Sequence, residues 1–239
     1  MNESFLSAPM QRELGGYTLH LRQFEVARYA SQQSLSHGVM PYGLTLPEDL
    51  QRALAKRQAE FLAGRVAACD ALQAAGVPPQ MLAVGKHRAP RWPQSVVGSI
   101  SHNANLALAV AQRVDSDALL LGVDVESRID EPPLPAIQST IATAQEAVIL
   151  ARVSLNAAQR VTTLFSAKES LFKALYPRVG QYLEFHDSRL LTWDEANGRL
   201  TLQLVQRAAE LAGSAWVFEV HYRWDEQRVI TLAQCHASS

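Results

Sequence analysis

Between residues 48 and 75 apolar side chains return at near-helical spacing, at Leu50, Leu54, Phe61, Leu62 and Leu72. That period predicts one long helix, stopped by Gly76 and the Pro78-Pro79 pair. The pattern then changes. The runs SVVGSIS (95–101), LALAVAQ (106–112) and ALLLGVDVE (118–126) are continuous apolar stretches separated by short polar turns, and they read as three strands of a meander. SRIDEPPLP (127–135) interrupts the pattern as a linker. Residues 143–176 return to helical spacing as one or two helices. Strand-like runs follow at SRLLTW, RLTLQLV, AWVFEVHYRW and RVITLAQC, with the last two joined at Asp225-Glu226-Gln227 as a hairpin.

Helix followed by strands thus occurs twice. The pattern predicts an α+β chain of two similar halves, residues 1–127 and 128–239, and a ligand site between such halves.

Composition narrows the reading. The 239 residues are 48% hydrophobic and 19% charged, a globular balance long enough to bury a real core. The net charge of -1 gives no general basic field, so nucleic acid is not an expected partner and any phosphate-binding surface must be local. Cys69 and Cys235 are far apart and in no CxxC pattern, which argues against a disulfide scaffold or zinc site and for a reducing compartment. The start, MNESFLSAPMQRELGG, lacks a basic segment followed by an apolar core, so no signal peptide is expected. No apolar run approaches the roughly 20 residues of a membrane span. The expectation is a soluble cytoplasmic protein.

Candidate chemistry concentrates in a few segments. In LLLGVDVESRID, Asp124 and Glu126 are two apart on a strand and so share a face. Taken alone they are charges that discourage edge aggregation. FSAKESLFKALYP (165–177) reads as a helix ended by Pro177, with an apolar face of Leu164, Phe165, Leu171, Phe172 and Leu175. Glu169 and Lys173, four apart, are by themselves a solvent-facing ion pair worth a few tenths of a kcal/mol. Lys168 falls within the apolar face; either its stem snorkels outward or it meets a carboxylate or phosphate inside. Together, three carboxylates with adjacent lysines are the parts of a magnesium-dependent phosphate site.

The loop KHRAPRW (86–92) gathers Lys86, His87, Arg88 and Arg91 beside Trp92, with charge for phosphate and flat surfaces for a base. GSISHN (98–103) ends a strand with Ser101 and His102 before a turn whose N–H groups suit a phosphate. Arg57 and Arg65, two turns apart on the first long helix, either add to this patch or lie on the surface. A GxSxG elbow is absent, so His102 is not read as catalytic.

These segments, in this order, resemble the 4'-phosphopantetheinyl transferase superfamily. The family signature G-x-D-x-E followed by (W/F)-(S/T)-x-K-E-(S/A)-x-x-K stands here as GVDVE from Gly122 and FSAKESLFK from Phe165. GSISH, the R-x-P-x-W-P form at Arg88–Pro93 and FSAKES are similar to the enterobactin synthase component D branch. Phe165 departs from the tryptophan of many members.

The resemblance implies two pseudo-twofold α+β halves, each a long helix packed on a small, mainly antiparallel sheet. It implies transfer of the 4'-phosphopantetheine arm of coenzyme A to a serine of an apo acyl, peptidyl or aryl carrier protein, releasing adenosine 3',5'-bisphosphate. Asp124, Glu126 and Glu169 match the metal-binding acids, for magnesium or manganese. Lys173 matches the lysine on the pyrophosphate, and Ser101 and His102 the pair on the coenzyme A phosphates. Arg57 resembles the arginine near the 3'-phosphate, with Arg65 as a candidate beside it, and Arg88 with Pro90 resembles the adenine-side loop. Glu169 is either ligand only or also the general base. A monomer is expected. The rival readings are a metal-dependent hydrolase of a nucleotide or of the coenzyme A pyrophosphate, and a binding module without activity.

Overall fold

The computed structural model describes residues 4–34, 40–115, 118–130 and 133–236. The chain divides into two compact units, Met1–Arg113 and Val114–Ser239.

The first unit opens with a hairpin of β1 (Met10–Leu14) and β2 (Tyr17–Gln23), turned at Gly15 and Gly16 with φ of 58° and 82°. A two-residue turn with φ positive at both positions matches the twist of the flanking strands, and glycine adopts it without steric cost. Helix α1 (Val26–Ser34), a short α2 (Glu48–Gln51) and the long α3 (Ala55–Ala74) follow. Then come β3 (Ala83–Val84), β4 (Pro90–Arg91), β5 (Val96–His102) and β6 (Leu106–Arg113). The sheet order is β1-β2-β6-β5, antiparallel throughout. Helix α3 packs on it through Ala59, Ala63, Val66 and Ala67, all fully buried, whose small side chains allow close approach. A fork of Arg22 to Asp70, at 2.6 and 2.8 Å, ties β2 to α3, and the Tyr42 hydroxyl donates to the same carboxylate at 2.6 Å.

The single helix expected over 48–75 is two. Leu54 is extended (φ -59°, ψ 145°) and 83% exposed, so it does not join the apolar face. The break is held by Gln58, whose side-chain amide donates to the carbonyls of Leu50 and Gln51 at 2.8 and 2.9 Å. It satisfies the orphan carbonyls of α2 where glycine or proline would be the usual signal.

The second unit contains β7 (Leu119–Ser127), α4 (Leu134–Ile141), α5 (Ala144–Leu150), α6 (Ala157–Val179), β8 (Ser188–Asp194), β9 (Arg199–Leu204), α7 (Gln206–Ala212), β10 (Val217–Trp224) and β11 (Arg228–His236). Its sheet order is β7-β11-β10-β9-β8, again antiparallel. The expected hairpin at Asp225 is present: Asp225 accepts from the N–H groups of Gln227 and Arg228.

Four expectations change. The strand ALLLGVDVE does not continue a meander, because β7 pairs with β11 along its whole length, from Ser127–Arg228 to Leu119–His236. The division between units therefore falls upstream of the boundary expected at 127/128, and Asp124 and Glu126 belong to the second unit. The linker 127–135 is short, since Leu134 already begins α4; Glu131 and Pro132 lie outside the described residues. Pro177 does not end α6, which runs to Val179 and closes on Gly180 at φ 63° with its N–H on the Tyr176 carbonyl.

Each unit packs a long helix on one larger antiparallel sheet, and the first also carries the two-stranded antiparallel sheet of β3 and β4. In each, the strand before the helix pairs with the last strand: β2 with β6, and β7 with β11. The repeated element is strand, helix, strands, and the sequence pattern alone showed only its second part.

Candidate active site

Helix α6 lies against β7, and Gly122 makes their close approach possible. A Cβ at Gly122 would stand 2.0 Å from the Ser170 carbonyl oxygen and 2.6 Å from the Ala174 nitrogen. Two residues on, Asp124 is 2% exposed and faces the same helix. Its Oδ1 takes the Lys173 ammonium at 2.5 Å and its Oδ2 a hydrogen bond from the Ser166 hydroxyl at 2.7 Å. Thr231, paired with Asp124 across β11 and β7, donates to the Ser166 carbonyl at 2.9 Å. Ser166 and Thr231 were not singled out in the sequence. The signal was there in FSAKES, a small hydroxyl one turn from the acid.

Glu126 follows on the same face. Burial, reinforced by the charge of Asp124, pushes its carboxyl up to about 7. Burial also raises Glu169; Lys173 pulls it back and Asp124 adds to the rise. The three acids expected from the sequence thus feel one another's charge. Lys173 pairs with Asp124 rather than forming a solvent-facing pair with Glu169 alone. Among the described residues no three His, Cys, Asp or Glu side chains are gathered closely enough to hold an ion as they stand. Their chemistry fits one nonetheless: the donors are hard oxygens, crowded enough to hold a proton near neutrality.

The crowding predicts a pH effect. A carboxyl raised in the folded state contributes stability that is full below its ordinary pKa of about 4.5 and is lost as pH rises through about 7. In metal-free buffer the melting midpoint of wild type should fall, relative to Glu126→Gln, between pH 5 and pH 8. Parallel curves for the two proteins would show that Glu126 is not so perturbed.

The first unit carries a pocket of about 410 Å³. Its walls come from α2 and α3 (Asp49, Arg57, Glu60, Phe61, Arg65), from the β3–β4 segment (Arg88, Pro90) and from β5 (Ile100, His102). Arg65 is 6% exposed, donates to the Leu82 carbonyl at 3.1 Å and stacks over Phe61 at 4.6 Å. Burial, and then the neighbouring Arg57 charge, lowers its guanidinium to about 10, still protonated at neutral pH. Two arginines that repel each other in a pocket are a receptor for anions. Arg88 and His87 take left-handed φ of 65° and 54°, an uncommon conformation for such side chains, in the turn that aims Arg88 at the pocket.

Of the sequence-predicted residues in this unit, Arg57, Arg65, Arg88, Pro90 and His102 line the pocket. Ser101 does not: alternation along β5 turns it, 5% exposed, to the face opposite His102. Sequence reasoning missed Asp49 and Glu60 as pocket residues and read Phe61 only as core; helical spacing from Arg57 and Arg65 could have found Glu60 and Phe61, but not Asp49, which lies on α2 beyond the break at Leu54.

Comparison with known proteins shows the family. The 4'-phosphopantetheinyl transferase N-terminal domain matches residues 46–112, and the 4'-phosphopantetheinyl transferase superfamily matches residues 120–233. Enterobactin synthase component D of Escherichia coli O157:H7 is 35% identical over 224 residues, 92% of this chain and 94% of that protein. The 4'-phosphopantetheinyl transferase Svp of Streptomyces mobaraensis is 38% identical over 174 residues, covering 69% and 68%. The 4'-phosphopantetheinyl transferase PptT of Mycobacterium tuberculosis is 30% identical over 215 residues, covering 87% and 91%. The chain belongs to the 4'-phosphopantetheinyl transferase superfamily. It is a transferase that moves the phosphopantetheine of coenzyme A to carrier proteins.

Proposed function

We propose that Asp124, Glu126 and Glu169 hold a magnesium ion, for which manganese can substitute, and that Lys173 meets the pyrophosphate of coenzyme A. The observation that supports this is the concentration of partly buried carboxylate at the β7–α6 contact, with Glu126 pushed up to about 7. When bound, the ion supplies positive charge against the charge that builds on the pyrophosphate during displacement. Lys173, now paired with Asp124 at 2.5 Å, would be free to turn its ammonium toward a phosphate if Asp124 held the ion. Glu169 takes the proton of the attacking serine hydroxyl; burial raises its pKa toward the working pH, as a general base needs. The serine oxygen then bonds to phosphorus, and adenosine 3',5'-bisphosphate leaves.

The arginine pocket is assigned to coenzyme A phosphates, with Arg57 and Arg65 as the anion contacts and His102 and Arg88 with Pro90 beside them; Ser101 supports β5 from the other face. Arg57→Gln should weaken coenzyme A binding about tenfold or more in calorimetry, the loss expected of one charge-assisted hydrogen bond. Arg189→Gln, on β8, should leave it unchanged. Equal affinities for wild type and Arg57→Gln would remove coenzyme A from this pocket.

For the acceptor we infer apo acyl, peptidyl or aryl carriers, with siderophore peptide synthesis as the setting. The likeness over nearly the whole chain to enterobactin synthase component D supports that choice. Among the described residues no helix is long and apolar enough to cross a membrane. Two free, buried cysteines, Cys69 and Cys235, suit the cytoplasm. We assign the enzyme there, as a monomer.

A further inference from the structure

Lys168 has no part in the reaction above, yet it is the most unusual side chain in the second unit. It is wholly buried, 0% exposed, in the middle of the apolar face of α6. It does not snorkel. Its ammonium lies 2.8 Å from Glu146 Oε1 and donates to the carbonyls of Ile141 at 2.8 Å, Phe185 at 2.9 Å and Ser188 at 3.1 Å. Those partners come from the end of α4, the first turn of α5 and the segment entering β8. Glu146 is as fully engaged. It is 1% exposed, caps α5 through the Thr143 N–H and hydroxyl, and accepts from the Leu190 N–H at 2.8 Å.

A buried ion pair is a poor source of stability, because desolvating two charges cancels most of their attraction and a well-packed apolar pair is often as stable or more so. This pair is held on several sides at once: the Lys168 ammonium meets four acceptors on three segments, so α6 cannot rotate or slide without breaking them. The position on α6 is the telling feature. At about 100° per residue, Ser166, Glu169 and Lys173 fall within an arc of roughly 60° facing β7, and Lys168 lies at least about 100° away round the helix. One side of α6 is tied to Asp124 by Ser166 and Lys173. The other side, within the same turn, is tied to α4, α5 and β8 by Lys168.

We propose that Lys168, anchored by Glu146, is a positioning residue: it sets the rotation and axial height of α6 so that Glu169 and Lys173 stand correctly beside Asp124 and Glu126. The inference rests on the role given above to Glu169 and Lys173. A displacement of about 1 Å at reacting groups costs on the order of a hundredfold in rate. Loss of the pin therefore acts mainly on turnover; it costs coenzyme A the Lys173 contact but not the contacts assigned to Arg57 and Arg65.

The test is the double variant Lys168→Met/Glu146→Gln, which removes both charges, keeps side-chain volume and leaves one amide oxygen for either the α5 cap or the Leu190 N–H. Glu146→Gln alone is the second variant. For each, kcat and KM for coenzyme A are measured well below the melting midpoint, with melting curves and calorimetric coenzyme A affinity beside them. The expected result for the double variant is a folded protein whose kcat falls about a hundredfold while KM and affinity weaken by no more than about tenfold, the loss of the one Lys173 contact. A folded double variant with kcat within threefold of wild type overturns the proposal, as does a parallel rise in KM with kcat unchanged. Variants that cannot fold at any temperature also overturn it, since the pair is then a plain folding requirement. Glu169→Gln in the same assay separates the two ideas. If that substitution leaves kcat intact, the underlying site reading has failed; if it abolishes turnover and the double variant does not, only the positioning role has.

Discussion

Glu169→Gln should lower the rate of carrier-protein modification about a thousandfold, because the proposed general base and one proposed metal ligand are lost together. Folding should not suffer. Burial and Asp124 both disfavour the Glu169 charge, and an amide of the same shape relieves that repulsion. The melting midpoint in metal-free buffer should therefore stay level or rise, while single-turnover rates at saturating coenzyme A collapse. That opposition of stability and rate marks a group placed for chemistry rather than for the fold. A variant retaining a tenth or more of the wild-type rate would take Glu169 out of the reaction.

Gly122→Ala should be the most damaging one-methyl change in the second unit. The new Cβ would meet backbone, at 2.0 Å from the Ser170 oxygen and 2.6 Å from the Ala174 nitrogen, so no side chain can swing away to admit it. Helix α6 must lift from β7. Overpacking of this severity costs about 3 kcal/mol or more, on the order of 10 °C in melting midpoint for a chain of this size. Lifting α6 also parts Ser166 and Lys173 from Asp124, so activity should vanish even where the protein remains folded. Gly64→Ala is the control. Its Cβ would meet only the Ile100 Cγ2 methyl at 3.1 Å, and alanine's better helix propensity, about 1 kcal/mol, offsets the contact. Equal melting points for the two variants would contradict the close-approach account.

Much of this was legible in the sequence, and for a physical reason. Asp124 and Glu126 at period two, and Glu169 and Lys173 at period four, project onto one face through local geometry alone. Local spacing could not reveal who faces whom. Lys173 pairs with Asp124, 49 residues away, because α6 packs closely on β7 at Gly122, and no pattern within either segment encodes that contact. The hairpin of β1 and β2 was missed although Gly15-Gly16 marks its turn, since its strands are mixed in polarity. The break at Leu54 was missed because a glutamine side chain makes it, with no glycine or proline at the site. Lys168 stood out as a charge on an apolar face, but its partner Glu146 sits on another helix. Ser101 was grouped with His102 by adjacency, whereas strand alternation separates them.

The central claim is phosphopantetheine transfer, and intact-mass spectrometry tests it most directly. The protein is mixed with coenzyme A, magnesium and a panel of apo acyl, peptidyl and aryl carriers, then run again with a chelator and again as Glu169→Gln. The account predicts that at least one carrier gains the mass of one phosphopantetheine arm, and that both controls abolish the gain. Coenzyme A cleaved with every carrier unmodified would contradict it and make the protein a metal-dependent hydrolase.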